Sequence, residues 1–202
     1  MPFQNRVAPT GALHAVPSKG TLMVNRGILH DADGRIVRTH AHCNWVTCAL
    51  QFKGRKQSLM APGHYTQLFF LDEATALAAG HRPCATCRRS RYRSFVDAWC
   101  DVHGPPTGGG SAPQAIDRAL HVARISRQRG KIIFRERLAD LPNGTILADP
   151  DGPILIWDGA FLRWSFAGYH PIDSNLPEEV SVLTPKPLVE LYAAGWVPDM
   201  RA

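Results

Sequence analysis

The chain has 202 residues, 45% of them hydrophobic and 20% charged, with 23 Lys and Arg against 17 Asp and Glu and a formal net charge of +6. That size and balance suit one ordinary domain or two small ones with a buried core, and they exclude a disordered, low-complexity chain. No run approaches the roughly 20 apolar residues of a membrane span, and the opening "MPFQNRVAPTGALHAVPSKG" lacks the charged start and apolar run of a signal peptide, so a cytoplasmic protein without a membrane partner is expected.

In chain order, "TLMVNRGILHDADGRIV" reads as two apolar runs around an Asp-Gly turn, a hairpin. "NWVTCALQF" follows as a strand, with Val46, Cys48, Leu50 and Phe52 on one face by two-residue alternation. "MAPGHY" marks a turn and "TQLFF" a short strand. Asp72 is placed to cap a helix over Glu73 to Ala79, and Gly80 suits the left-handed position that ends it. A second helix is expected from about Thr86 to Trp99, because Tyr92, Phe95, Val96 and Trp99 make one apolar stripe. "HGPPTGGGSAPQ" has the Gly, Pro and Ser content of a linker over residues 104–114. It would separate residues 1–103 from a second region, residues 115–202. There "IDRALHVARISRQRGK" reads as a helix with Ile116, Leu120 and Ala123 inward and Arg118, Arg124, Arg127, Arg129 and Lys131 largely outward on a solvated face. "LPNGTILADPDGPILIWDGAFLRW" strings Asn-Gly and Asp-Gly turns between apolar runs as a β-meander, with the Trp157, Phe161, Trp164 and Phe166 rings read as core. Residues 165–177 read as turns, "VSVL" as a strand, and "PLVELYAAG" as a terminal helix started by Pro187 and ended by Gly195. The class is α+β.

Five cysteines, an odd number, in a chain without an export signal point to metal binding or thiol chemistry in place of a disulfide framework. Cys84 and Cys87 form a Cys-x-x-Cys pair, Cys43 and Cys48 lie upstream, and Cys100 stands alone. A redox pair of the thioredoxin type would follow a strand; here the preceding stretch reads as a helix, which favours a metal site. Behind the pair, Arg88, Arg89, Arg91 and Arg93 crowd a helix start where the helix dipole makes cations unfavourable. They would face phosphates or offset the charge of a metal-thiolate centre. Lys53, Arg55 and Lys56 form a second basic loop able to touch phosphates, so DNA is the expected partner and RNA a possible one.

"LFFLDEATALAAGHRPCATCRR" resembles the second half of the zinc-binding N-terminal domain of the Ada DNA-repair family: an aromatic strand end, an acid-rich helix start, Ala-Leu-Ala-Ala-Gly, then Arg-Pro-Cys-x-x-Cys and basic residues. The resemblance is close over about 22 residues. It implies a small mixed sheet with helices around one zinc ion held by four cysteines, and transfer of a methyl group from a DNA phosphotriester to one of them. Cys84 and Cys87 match the family's third and fourth ligands. The family's upstream pair is separated by three residues, whereas Cys43 and Cys48 are separated by four. If "WVTC" matches the strand ending in the methyl-accepting cysteine, Cys48 is the reactive ligand and Phe52 stands where a second ligand is required. The remaining ligand is then Cys43, His42, His64 or water.

The expected metal set is therefore Cys43, Cys48, Cys84 and Cys87 around zinc, with Cys48 as the catalytic thiolate. Two alternatives stay open. One is a structural zinc module that binds DNA without chemistry. The other is a zinc-dependent hydrolase, nuclease or deaminase with an open metal position, the deaminase form needing an acid-base glutamate where "HAHC" has His42. No helix-turn-helix pair or second acceptor motif follows, so a transcriptional role is not expected.

Overall fold

The computed structural model describes residues 2–54, 58–105, 111–173 and 175–201. It is a mixed α+β structure of two six-stranded sheets and four helices. The first sheet is built from β1 (Arg6–Val7), β2 (Leu13–His14), β3 (Leu22–Asn25), β4 (Val46–Ala49), β5 (Leu68–Phe70) and β6 (Arg82–Pro83). Helix α1 (Glu73–Ala78) lies between β5 and β6, and α2 (Arg89–His103) and α3 (Ala112–Arg124) follow. The second sheet contains β7 (Phe134–Arg137), β8 (Ile146–Ala148), β9 (Ile154–Trp157), β10 (Ala160–Ser165), β11 (Gly168–Ile172) and β12 (Glu179–Val182), before α4 (Lys186–Ala193). Among the described residues, no helix is long and apolar enough to cross a membrane.

The first sheet runs in the order β2-β1-β5-β3-β4-β6, with parallel pairs β1–β5 and β4–β6. The second is antiparallel throughout, in the order β11-β10-β9-β8-β12-β7. Helix α1 sits where both sheets and the other helices meet, which explains its small side chains. Ala76 packs toward Val24, Leu68 and Phe70, Ala74 and Ala78 toward Ile146, Leu155 and Leu183, and Leu77 toward the helical cluster. A helix apolar all round is one buried all round. Its start is fixed as expected, by Asp72 accepting from the Thr75 amide, and Gly80 adopts the left-handed φ of 89° after its end.

Several expectations are corrected by tertiary context. The Asp-Gly turn forms, with Asp31 Oδ1 accepting from the Asp33 and Arg35 amides, but its arms join only through a bridge between His30 and Ile36. β3 pairs instead with β4 and β5, because the chain leaves its strand at Gly27, where φ is 99°. Residues 165–177 contain β11, held by a five-residue ladder to β10. Helix α2 begins at Arg89 and reaches His103, later at both ends than the apolar stripe indicated. Residues 112–114 of the expected linker are the first turn of α3, where proline is tolerated because its missing N–H has no helical partner. Residues 106–110, the centre of that linker, lie outside the described residues.

The regions on either side of this segment share their cores. Leu77, Phe95 and Trp99 pack with Ile116, Leu120, Leu188, Leu191, Tyr192 and Trp196. Trp164, expected in the core, is buried with Ala8 and Leu71, and its indole N–H donates to Thr75 Oγ1 at 2.9 Å.

Candidate metal centre

The parallel pairing of β4 with β6 creates the site. Its register sets Val46 beside Arg82 and Thr47 beside Pro83, and the Cys84 amide continues the ladder by donating to the Thr47 carbonyl at 3.0 Å. Cys84 is thereby carried alongside Cys48, the residue after Thr47. Proline is tolerated in β6 because that strand forms the edge of the sheet. The bidentate pair between Arg82 and Asp117, at 2.8 and 2.7 Å and almost fully buried, ties this edge to α3.

The sulfurs of Cys48, Cys84 and Cys87 all lie within 4.8 Å of one another. The Cys84–Cys87 turn directs the Thr86 and Cys87 amides at the Cys84 sulfur, with Thr86 N at 3.4 Å, and the Ala49 amide serves Cys87. Hydrogen bonds from amides to sulfur favour its deprotonated form. The Cys84 thiol is pulled down to about 4, first by the hydrogen bond from Cys48 and then by these amides against the opposing effect of burial. Cys48 is pushed up, chiefly because it donates that bond and then by burial; burial also raises Cys87. One thiolate sharing the protons of two neighbours is a donor set from which a divalent cation can displace protons. Three soft sulfurs with no oxygen donor suit a soft or borderline metal ion and not magnesium or calcium. The donors present therefore fit a metal.

The other expected ligands stand apart. Cys43 is exposed and outside the sulfur group; its carbonyl accepts from the Trp45 amide and from Arg124. The turn at residues 43–45 ends before β4 begins, so the bend needed to bring Cys43 beside Cys48 is absent from the strand. His42 lies against Gly27 with Nδ1 buried, and His64 is exposed with Nδ1 3.1 Å from the Pro62 carbonyl. No His, Asp or Glu ligand atom joins the three sulfurs among the described residues. Cys100 lies within α2, also outside the group.

The basic residues divide by helical periodicity. Arg88 and Arg91, three apart, turn inward onto Glu73, with ion pairs of 2.8 and 2.7 Å; Arg88 also donates to Thr47 Oγ1 at 2.8 Å. Arg91 further lies over the Trp196 ring. Arg89 and Arg93 are exposed on the other side of α2. Only this second pair presents free guanidinium groups, so two of the four expected phosphate contacts serve the interior. Lys53 is exposed with its ammonium over Phe52, while Arg55 and Lys56 lie outside the described residues.

Three contributors were missed in the sequence: Glu73, read only as a good helix former; Thr47, the inward residue beside Cys48; and Asp117, the anchor of Arg82. The signal for Glu73 was the four-arginine run itself, since cations at a helix start call for an acid to receive them. Comparison with protein-family models, with curated proteins and with solved structures finds no match.

Proposed function

We propose that this chain is a zinc-thiolate protein that acts at nucleic acid, holding the ion through Cys48, Cys84 and Cys87 and accepting a methyl group from a DNA phosphotriester on Cys48. The observation supporting this reading is the convergence of three sulfurs from two separate stretches of sequence. The resemblance of "LFFLDEATALAAGHRPCATCRR" to the Ada zinc module supports zinc as the ion and Cys48 as the acceptor. Bound zinc supplies a charge that keeps all three sulfurs deprotonated near neutral pH.

The transfer needs no further reagent. The Cys48 sulfur attacks the methyl carbon; the S–C bond forms as the C–O bond breaks, and the phosphate oxygen leaves with the electron pair as a diester anion. Cys48, next to last in β4, is half-buried, and the transfer requires its sulfur to meet the substrate from the open side. Of the basic residues expected at the phosphates, Arg89, Arg93 and Lys53 are exposed and would position the backbone, a contact that would weaken as salt rises.

A second reading, a zinc-dependent hydrolase, nuclease or deaminase, is favoured by one observation: three sulfur donors in place of four. Zinc sites with three protein ligands and an open position are those of zinc enzymes. Intact-mass analysis after incubation with a methylphosphotriester oligonucleotide separates the readings. The expected result is a gain of one methyl group, localised to Cys48, absent from Cys48→Ser and retained in Cys43→Ser. Unmodified protein that cleaves or deaminates the oligonucleotide supports the second reading. Unmodified protein that only binds it leaves a zinc module without chemistry.

A further inference from the structure

A second group of side chains, around Trp45, is not used by the thiolate centre. Arg26, just after β3, and Arg124, at the end of α3 and turned inward against the outward face expected for it, are 1% and 0% exposed. Both guanidinium groups lie against the Trp45 indole, at 4.2 and 4.0 Å from the ring. Lys131 reaches into the same place, its ammonium donating to the Ala78 carbonyl at 2.5 Å. His81, fully buried, accepts from Arg26 Nε at 3.1 Å, and its Nδ1 faces the Ala76 carbonyl at 3.2 Å. His40 and His121 complete the group, their rings 5.4 Å apart, with His121 Nδ1 3.2 Å from an Arg124 nitrogen.

Among the described residues the group has no matching carboxylate. Among the described residues no acid forms an ion pair with Arg26, Arg124 or Lys131. Asp117 is near, but both its oxygens are taken by Arg82. The Cys43 thiol faces Arg124 from the surface. Otherwise the cations meet the carbonyl oxygens of Gly11, Gly80, Cys43 and Ala78. Carbonyl dipoles ease the burial of charge without cancelling it. The result appears in the side chains themselves: Lys131 is held down to about 7 and each arginine to about 9, first by burial; for Lys131 and Arg26 mutual repulsion within the group adds to it. Two donors remain open, Arg26 Nη2 and Arg124 Nε, both buried without a partner. Gly11 adjoins the first: a Cβ built there would lie 3.8 Å from Arg26 Nη2.

We propose that this cluster binds a small oxyanion of the phosphate class, which approaches beside Gly11, accepts from Arg26 Nη2 and balances the charge of Arg26, Arg124 and Lys131. The planar guanidinium fork matches oxyanion geometry better than a spherical halide. Near-complete burial of both arginines leaves no groove for a polymer backbone, so the ligand is a free ion and not a nucleic-acid strand.

The test is thermal unfolding of the zinc-loaded full chain in chloride buffer at fixed ionic strength and pH, titrated with inorganic phosphate. The expected result is a melting temperature that rises and saturates, as for a ligand specific to the folded state. In Lys131→Met, which keeps an apolar stem of similar length, half-saturation should shift at least tenfold upward. Arg26→Lys should weaken the response similarly if it still unfolds cooperatively, and Lys131→Met alone suffices if it does not. A rise linear in phosphate and equal in wild type and Lys131→Met is general salt exclusion and overturns the proposal. So does a response no larger than that to chloride. Competition by a short oligonucleotide lacking terminal phosphate overturns the assignment to a free ion.

Discussion

Glu73 holds the helix that follows the Cys-x-x-Cys turn. It is 1% exposed, and its two oxygens receive Arg88 and Arg91 while the Asp199 amide donates to one of them at 2.9 Å. Arg88 adjoins Cys87 and also reaches Thr47, the neighbour of Cys48. One carboxylate therefore joins the start of α2, the C-terminal tail and the strand that carries the third sulfur. Removing one partner of a buried ion pair is costly because the other charge stays buried. Glu73→Ala should lose about 3–5 kcal/mol in urea unfolding, with Glu73→Gln less affected because it still accepts hydrogen bonds. An effect below about 1 kcal/mol would mean that the pair behaves as a solvated surface contact. The roles of Arg88 and Arg91 were only half legible in the sequence. The run of arginines is visible there, but the direction each one faces depends on where α2 starts relative to its buried stripe.

At the scale of elements, local chemistry was legible where it is sufficient in itself. Asp72 and Gly80 mark the ends of α1 through a side-chain cap and a left-handed φ, both local properties of the chain. Gly80 is doubly constrained, because a Cβ there would lie 2.5 Å from Arg124 Cδ and 2.8 Å from its Cβ. Gly80→Ala therefore adds backbone strain to a steric clash and should cost about 2–4 kcal/mol in denaturant unfolding. A neutral substitution would show that the end of α3 can shift freely away from α1. Strands held by partners were not legible. β6 has two residues, one of them proline, and exists because β4 lies beside it; β11 contains Gly168 and Pro171 and exists because β10 does. The metal site shares that limit. Cys84 and Cys87 announce themselves by spacing, whereas the choice of Cys48 over Cys43 depends on the register of β4 against β6.

The whole molecule places this sulfur group on a shared framework. Helix α1 contributes to clusters containing residues from both sheets and all four helices, so the cysteine region leans on the C-terminal meander through α1, and on α4 and the tail after it through the aromatic cluster of Phe95, Trp99 and Trp196. The fold class and most of the meander were legible, because alternation and Asx-Gly turns are strong local signals. The packing of the meander against α1 was not, since the alanines of "EATALA" declare burial without saying against what. Zinc binding by the full chain, with coordination read by X-ray absorption and repeated for each cysteine variant, bears directly on the three-sulfur site. The expected result is one zinc per chain with three sulfur neighbours at about 2.3 Å, lost or greatly weakened in Cys48→Ser, Cys84→Ser and Cys87→Ser and unchanged in Cys43→Ser. A chain that takes up no zinc, or a fourth sulfur that disappears with Cys43→Ser, would contradict it.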